Sequence, residues 1–359
     1  MTAIARRLRT LPLRHTVLRR LVTIPLVVVL MAVALGVVPI ACAITGPFAL
    51  RAGGRGRVVR SGLFLIVYLG AETVGLCWLA LIWLRSGPVM TKSGARRQRY
   101  QESNYAVLAR LLGVLHAVSR RLFGLRILLP ETIGEPDSGT PTVPSLPDGP
   151  LIMLSRHGGP GDSFLLIHAL LVHAHRRPRI VLKDTLLLDP FIDVVLGRVP
   201  HCFIDPNPKA GADVAGAVGL LASGMGPGDV LVIFPEGGNF TSGRRVRAIE
   251  ALHRRGLRTS AKRAQRLPHV LPPRPAGVFA AVAAAPGADV VFVAHTGLAH
   301  MEAIADVWRC LPLTEPVRAT WWTVPASRVP IEDDARVRWL QDNWAEVDAW
   351  IDRQRAVEP

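Results

Sequence analysis

The stretch that most limits the folding of this chain is Leu151-Ile-Met-Leu-Ser-Arg-His157-Gly-Gly-Pro-Gly-Asp162-Ser163-Phe164. An apolar run of strand length ends in a histidine. A turn rich in glycine and proline follows, then an aspartate, and a helix-like apolar run begins at Ser163. Strand, tight loop and helix form the unit that α/β proteins use to place chemistry at the carboxyl end of a sheet. A histidine there titrates near neutrality and can take a proton. An aspartate one turn later can accept from the other ring nitrogen, fixing the tautomer and stabilising the imidazolium. A turn in which Asp162 or Ser163 merely caps the next helix is the structural alternative.

Beyond Leu151 the pattern alternates. Strands are expected at 151–155, 179–183, 201–204, 229–234, 290–295 and 317–324. Helices are expected at 163–175, 186–197, 210–223 and 244–266, with a short one near 277–285 and an amphipathic last one over 331–354. Such alternation implies an α/β fold with a largely parallel or mixed sheet flanked by helices.

The first part of the chain is different. Arg6, Arg7, Arg9, Arg14, Arg19 and Arg20 precede a run from Leu21 to Leu50 without any charge, and a second apolar run, Ser61 to Leu84, carries only Glu72. Each is long enough for a bilayer core, which needs about 20 helical residues. An N-terminal hydrophobic helical hairpin follows. Arginine-rich outer flanks favour cytoplasmic ends, whereas Arg51, Arg55, Arg57 and Arg60 in the connection resist export. A spanning hairpin and one that re-enters a single leaflet both fit. Glu72 is either paired within the hairpin or a functional polar spot.

Residues 94–128 place Leu108, Leu111, Leu112, Leu115, Val118 and Leu122 at helical spacing, interleaved with arginines. A helix on an anionic membrane surface and a core-facing helix both suit that pattern. Pro, Gly, Ser and Asp dominate 134–149, a loop or linker. The expected organisation is a basic N-terminus and membrane hairpin over 1–93, an amphipathic helix and linker over 94–149, and a catalytic domain over 150–359.

The net charge of +16, mostly arginine, suits an anionic phospholipid surface, and no zinc-finger or RNA-recognition pattern points to nucleic acid. The four cysteines lie far apart without a CxxC, so neither a zinc site nor a disulfide framework is indicated. No metal site is expected. His168, His173, His175 and His295 lie on apolar or strand-like runs and read as structural.

A second buried strand ends in Phe234-Pro235-Glu236-Gly237-Gly238-Asn239. Glu236 at a strand end can hydrogen-bond a polyol hydroxyl, and Gly237 lets backbone amides approach a phosphate. Between the two blocks stands Phe203-Ile204-Asp205-Pro206. In this order, His-x4-Asp, Phe-Ile-Asp and Phe-Pro-Glu-Gly resemble the first three motifs of the glycerolipid acyltransferases, the lysophosphatidic acid acyltransferase or PlsC family. His269-Val-Leu-Pro-Pro-Arg274-Pro-Ala-Gly277 resembles the fourth-motif region of its lysocardiolipin and reticulum-type branch, as does the ending with Trp339, Trp344 and Asp348. Two arginines of the family pattern are absent: Pro206 and Gly238-Asn239 occupy their places.

The resemblance implies an enzyme moving an acyl group from acyl-CoA or acyl carrier protein to the free hydroxyl of 1-acylglycerol 3-phosphate, without a cofactor. It implies a cell-membrane location with the catalytic domain on the cytoplasmic face. His157 would be the base and Asp162 its partner. Glu236, Gly237, Asp205, Lys183, Arg274 and Arg244 would bind substrate, with Arg274 the first candidate for phosphate and Lys183 the second. Amides of the Gly158–Gly161 turn are candidate oxyanion donors. The arginine run from Arg244 to Arg266 reads as a solvated helix face, or as a contact for the coenzyme A nucleotide or lipid headgroups. Other lysophospholipid or glycolipid acceptors, and a lipid-binding protein without catalysis, are the competing readings.

Overall fold

The computed structural model describes residues 13–51, 56–87, 94–129, 146–159, 161–204, 213–298, 301 and 304–356. Asp205 and Pro206 lie outside the described residues. The chain divides into two compact units, Met1–Phe123 with Lys183–Val199, and Gly124–Leu182 with Pro200–Pro359.

The first unit is helical. Helix α1 runs Leu13–Arg51, α2 Arg57–Ser86 and α3 Gly94–Phe123. The first two are long and apolar enough to cross a membrane. They pack on one another through small residues: a methyl at Gly62 would meet Val38 at 2.7 Å, and one at Gly70 would meet Met31 at 3.4 Å. Much of α1 stays uncovered, with Leu21, Val29, Val37 and Ile40 exposed. Helix α3 lines α2, with the Arg60 guanidinium donating to the Leu122 carbonyl at 2.5 Å and Arg110 standing 5.0 Å from the Trp78 ring centre.

Segment 183–199 completes this unit. A 3-10 turn, Asp184–Leu188, leads to α5, Pro190–Leu196, all of whose residues are buried (α4 belongs to the second unit). Asp189 caps α5 through the Ile192 N–H at 2.9 Å and accepts the Tyr68 hydroxyl at 2.6 Å. Glu72, 2% exposed, accepts the Phe191 N–H at 3.3 Å. Asp193 binds Arg19 at 2.9 Å and Arg20 at 3.1 Å. The expected pairing of Glu72 within the hairpin changes: its partner is the Phe191 amide of α5, 119 residues further along the chain.

The second unit is α/β. Its strands are β1 (Ile127–Leu128), β2 (Leu151–Ser155), β3 (Arg177–Lys183, of which Lys183 is grouped with the helical unit), β4 (His201–Ile204), β5 (Asp229–Ile233), β6 (Asp289–His295) and β7 (Val317–Val324). They form one sheet in the order β1-β7-β6-β2-β5-β3-β4. The β6–β2, β2–β5 and β5–β3 pairs are parallel, and β7 runs antiparallel to β6, so the sheet is mixed. Helices α4 (Asp162–His168), α6 (Val214–Ala222), α7 (Ser242–Arg254), α8 (Arg258–Gln265), α9 (Pro275–Ala284), α10 (Ile304–Cys310) and α11 (Asp333–Ala356) connect and cover it.

The central strands are apolar throughout because both faces are covered. Ile152, Leu154, Leu231, Val290 and Phe292 pack with Val218, Val278, Leu340, Trp344 and Ile351 in one core. Three expectations change, one being the helix over 186–197, which divides at Asp189 into the 3-10 turn and α5. The helix over 244–266 breaks at Gly256, which takes φ 74°, so α7 and α8 are separate. The run 163–175 is a short α-helix continued by a π-helical turn, Ala169–His173.

Candidate active site

Strands β2, β5 and β6 lie side by side and end together, with Ser155 opposite Val293 and Leu154 opposite Ile233. The residues just past their ends therefore meet: Arg156 and His157 after β2, Phe234 to Gly237 after β5, and His295 closing β6.

Beyond β2 the chain turns back at once into α4. Gly161 supplies φ 89°, which any larger residue adopts only under strain, and Gly159 fits where a Cβ would run into the Leu298 backbone. This fold-back brings Asp162 Oδ2 to 2.9 Å from His157 Nδ1. Asp162 also accepts from the N–H groups of Gly159 at 3.2 Å and Ser163 at 2.6 Å. Burial raises its carboxyl pKa, but the hydrogen bond and charge of His157, with His295 and the Gly159 N–H, outweigh that and hold it below the usual range. The carboxylate is thus ionised, and Nδ1 is the donor. Nε2 of His157 is the ring nitrogen that Asp162 does not engage.

This geometry narrows the candidate donors in the turn. The Gly159 N–H is engaged by Asp162 and Pro160 has no N–H, so the amides of Gly158 and Gly161 remain.

Glu236, 2% exposed, accepts the His157 N–H through Oε1 at 3.3 Å. Its Oε2 has no hydrogen-bond partner among the described residues. Burial pushes its carboxyl pKa up to about 8, against the Arg156 charge and the backbone amides of His157 and Leu271. At neutral pH it is mainly protonated. The Phe234 ring stacks obliquely on His157, centroids 4.6 Å apart, and the Phe240 N–H donates to the His157 carbonyl at 2.7 Å.

The other anticipated residues are placed as follows. Gly237 takes φ 72°, and a Cβ on it would stand 2.8 Å from the Arg274 guanidinium carbon, so Arg274 lies directly over this turn. Arg274 is exposed, and its N–H donates to the Pro235 carbonyl at 2.8 Å. Helix α11 braces the segment leading to it: Trp344 Nε1 donates to the Leu271 carbonyl at 3.0 Å, and Asp348 accepts the His269 N–H at 2.7 Å. Arg244 instead folds onto its own loop, donating to the Asn239 carbonyl at 2.9 Å beside the Thr241 cap of α7. Lys183 ends β3 and is grouped with the helical unit.

Two further residues meet at this place: Arg156, to which the sequence reading gave no role, and His295, which it read as structural. Arg156 is fully buried, and burial lowers its pKa. His295 Nε2 lies 3.7 Å from Asp162 Oδ2, and burial holds its pKa down at about 4, so it is neutral. The available signal was positional: each is a charged or titratable side chain at the end of a buried apolar strand.

Among the described residues no group of three or more His, Cys, Asp or Glu could hold a metal ion. No curated protein and no solved structure matches the chain. Residues 138–296, which contain His157, Asp162, Glu236, Gly237 and Arg274, match the family model described as Acyltransferase, and it is over this segment that the chain is similar to that family.

Proposed function

We propose that this chain is a membrane-attached glycerolipid acyltransferase that moves a fatty acyl group from a thioester donor, acyl-CoA or acyl carrier protein, to the free hydroxyl of 1-acylglycerol 3-phosphate. The observation that carries the reading is the 2.9 Å contact between His157 Nδ1 and an ionised, buried Asp162, with Nε2 available, inside the segment matched by the Acyltransferase model. An alcohol is a poor nucleophile at neutral pH. Nε2 removes its proton as the oxygen attacks the thioester carbonyl. Asp162 steadies the imidazolium that forms. The Gly158 and Gly161 amides are the donors for the oxyanion. When the tetrahedral intermediate collapses, the C–S bond breaks and the proton held by His157 passes to the thiolate, leaving ester and free thiol.

Neutral Glu236 suits a phosphate-bearing acceptor, since it binds hydroxyls without repelling the anion. Arg274 over Gly237 offers the phosphate a guanidinium, which can bind it bidentately. The absence of arginine at 206 and 239 supports a second reading, in which the acceptor is another lysophospholipid with a larger headgroup. Membrane attachment is through the exposed apolar side of α1, with the catalytic unit cytoplasmic.

The test is full-length protein in vesicles with labelled acyl-CoA and acyl carrier protein, offered a panel of lysolipids. Transfer to 1-acylglycerol 3-phosphate is expected, and His157→Ala should lower it at least 1,000-fold, the scale on which catalysis without its base falls. Preference for a headgroup-bearing lysolipid would select the second reading. A fully active His157→Ala protein would refute both.

A further inference from the structure

We infer that His295 and Arg156, which end adjacent strands, are positioning residues that hold the His157–Asp162 pair from behind. The two are cross-latched. The Arg156 guanidinium donates through one NH2 group to the His295 carbonyl at 2.9 Å, and His295 Nε2 donates to the Arg156 carbonyl at 3.1 Å. The Arg156 N–H donates to the Val293 carbonyl at 3.1 Å, continuing the β2–β6 ladder one step past its end.

The Arg156 carbonyl and the His157 N–H belong to the same peptide unit. One end of that unit is gripped by His295 and by the Ser155 hydroxyl, each at 3.1 Å, and the other by Glu236 Oε1 at 3.3 Å. Its plane sets the direction in which the His157 side chain leaves the backbone. The His295 ring also fills the space behind the turn: a methyl on Gly158 would stand 2.8 Å from its Cε1. The same Nε2 faces Asp162 Oδ2 at 3.7 Å, so the carboxylate lies between two imidazoles.

Packing alone does not call for these side chains. Arg156 is 0% and His295 6% exposed, and a buried guanidinium or imidazole is costly where an aliphatic residue would fill the volume. The purchase they provide is geometric, since a misplacement of about 1 Å at a base costs about 100-fold in rate.

The kinetic arm of the test rests on the acyl-transfer reading, whereas the spectroscopic arm does not. Glutamine at 295 can reach the Nε2 position with an amide N–H, but asparagine places its amide near Nδ1 and falls short of the Arg156 carbonyl. In full-length protein, His295→Asn should lower kcat by about 30-fold or more with the acceptor KM within about 3-fold, and His295→Gln should restore kcat to within about 5-fold. The proton shared by His157 Nδ1 and Asp162, assigned in the NMR spectrum by its loss in His157→Gln, should vanish in His295→Asn and return in His295→Gln. Thermal unfolding of both variants monitors folding.

If both variants keep wild-type kcat, or if both lose it equally while the proton signal persists, the inference is overturned. Wild-type protein inactive on every acceptor would remove the proposed function instead. The proton signal would then decide alone: loss in His295→Asn with return in His295→Gln supports positioning, and persistence in both refutes it.

Discussion

At the scale of single residues, the site is a set of charges whose burial decides their state. Glu236 and His295 are both inside, and both are neutral at pH 7, for opposite reasons: burial disfavours the anion of one and the cation of the other. Their effects on stability oppose each other. Folded Glu236 keeps its proton up to about pH 8, whereas its unfolded form loses it near 4.5, so stability falls as pH rises between those values. Folded His295 stays deprotonated down to about pH 4, whereas its unfolded form protonates near 6.5, so stability rises with pH between those values. The two slopes cancel where they overlap, so of these two groups only Glu236 contributes from about pH 6.5 to 8. A loss of about 2 kcal/mol is expected over that window, at about 1.4 kcal/mol per pH unit. Chemical denaturation of wild type and Glu236→Gln checks it, because the variant's decline over that window should be shallower by that amount.

The sequence pattern singles out His157, Asp162 and Glu236 as candidates because His157 and Glu236 follow strand ends beside glycine and Asp162 opens the helix after the first of those turns. It does not single out His295, because its role depends on which strand lies beside β2, and neither periodicity nor spacing states the order of strands in a sheet. Arg156 was hidden by its neighbour: a charged residue next to His157 reads as a solvated flank until the turn is seen to bury it.

At the scale of elements, the boundaries of β2, β4 and β7 follow directly from their apolar runs. The break between α7 and α8 was masked because arginines continue across Gly256 at helical spacing. Helix α5 is the clearest case of an element whose partners the sequence withheld. It was foreseen as part of 186–197, but its binding to α1 and α2 rests on contacts distant in the chain. Asp193 joins it to Arg19 and Arg20, and its side chain is 3% exposed. Removing that carboxylate severs several charge-assisted bonds at once while leaving the two partly exposed arginines to water. Asp193→Ala should therefore cost about 1–3 kcal/mol. The change would be read as a lowered unfolding midpoint of the helical unit in detergent, and an unchanged midpoint would show that the arginines contribute nothing there.

At the scale of the whole molecule, the chain joins an apolar helical unit to an α/β unit under a net charge of +16. Arg110, exposed on α3, stands beside Trp78 in the last third of α2, a position that fits a spanning hairpin and a leaflet-bound one alike. Two forces should then act in turn on approach to a membrane. Arrival is electrostatic, so association with vesicles should be faster when they contain anionic lipid and should slow with added salt. Retention is apolar, so protein already bound should stay bound in concentrated salt. Flotation of vesicles after salt addition before or after binding separates the two, and release of bound protein by salt would refute an inserted hairpin.

The pairing of Glu72 with segment 183–199 also has a consequence for biosynthesis. The Phe191 amide that Glu72 accepts from is 119 residues further along the chain. At about 5–20 residues per second, the ribosome delivers it about 6–24 s after the glutamate. Throughout that interval a nascent carboxylate sits in the middle of a greasy helix with its eventual cover still unmade. Water, headgroups or a chaperone must shield it until translation catches up.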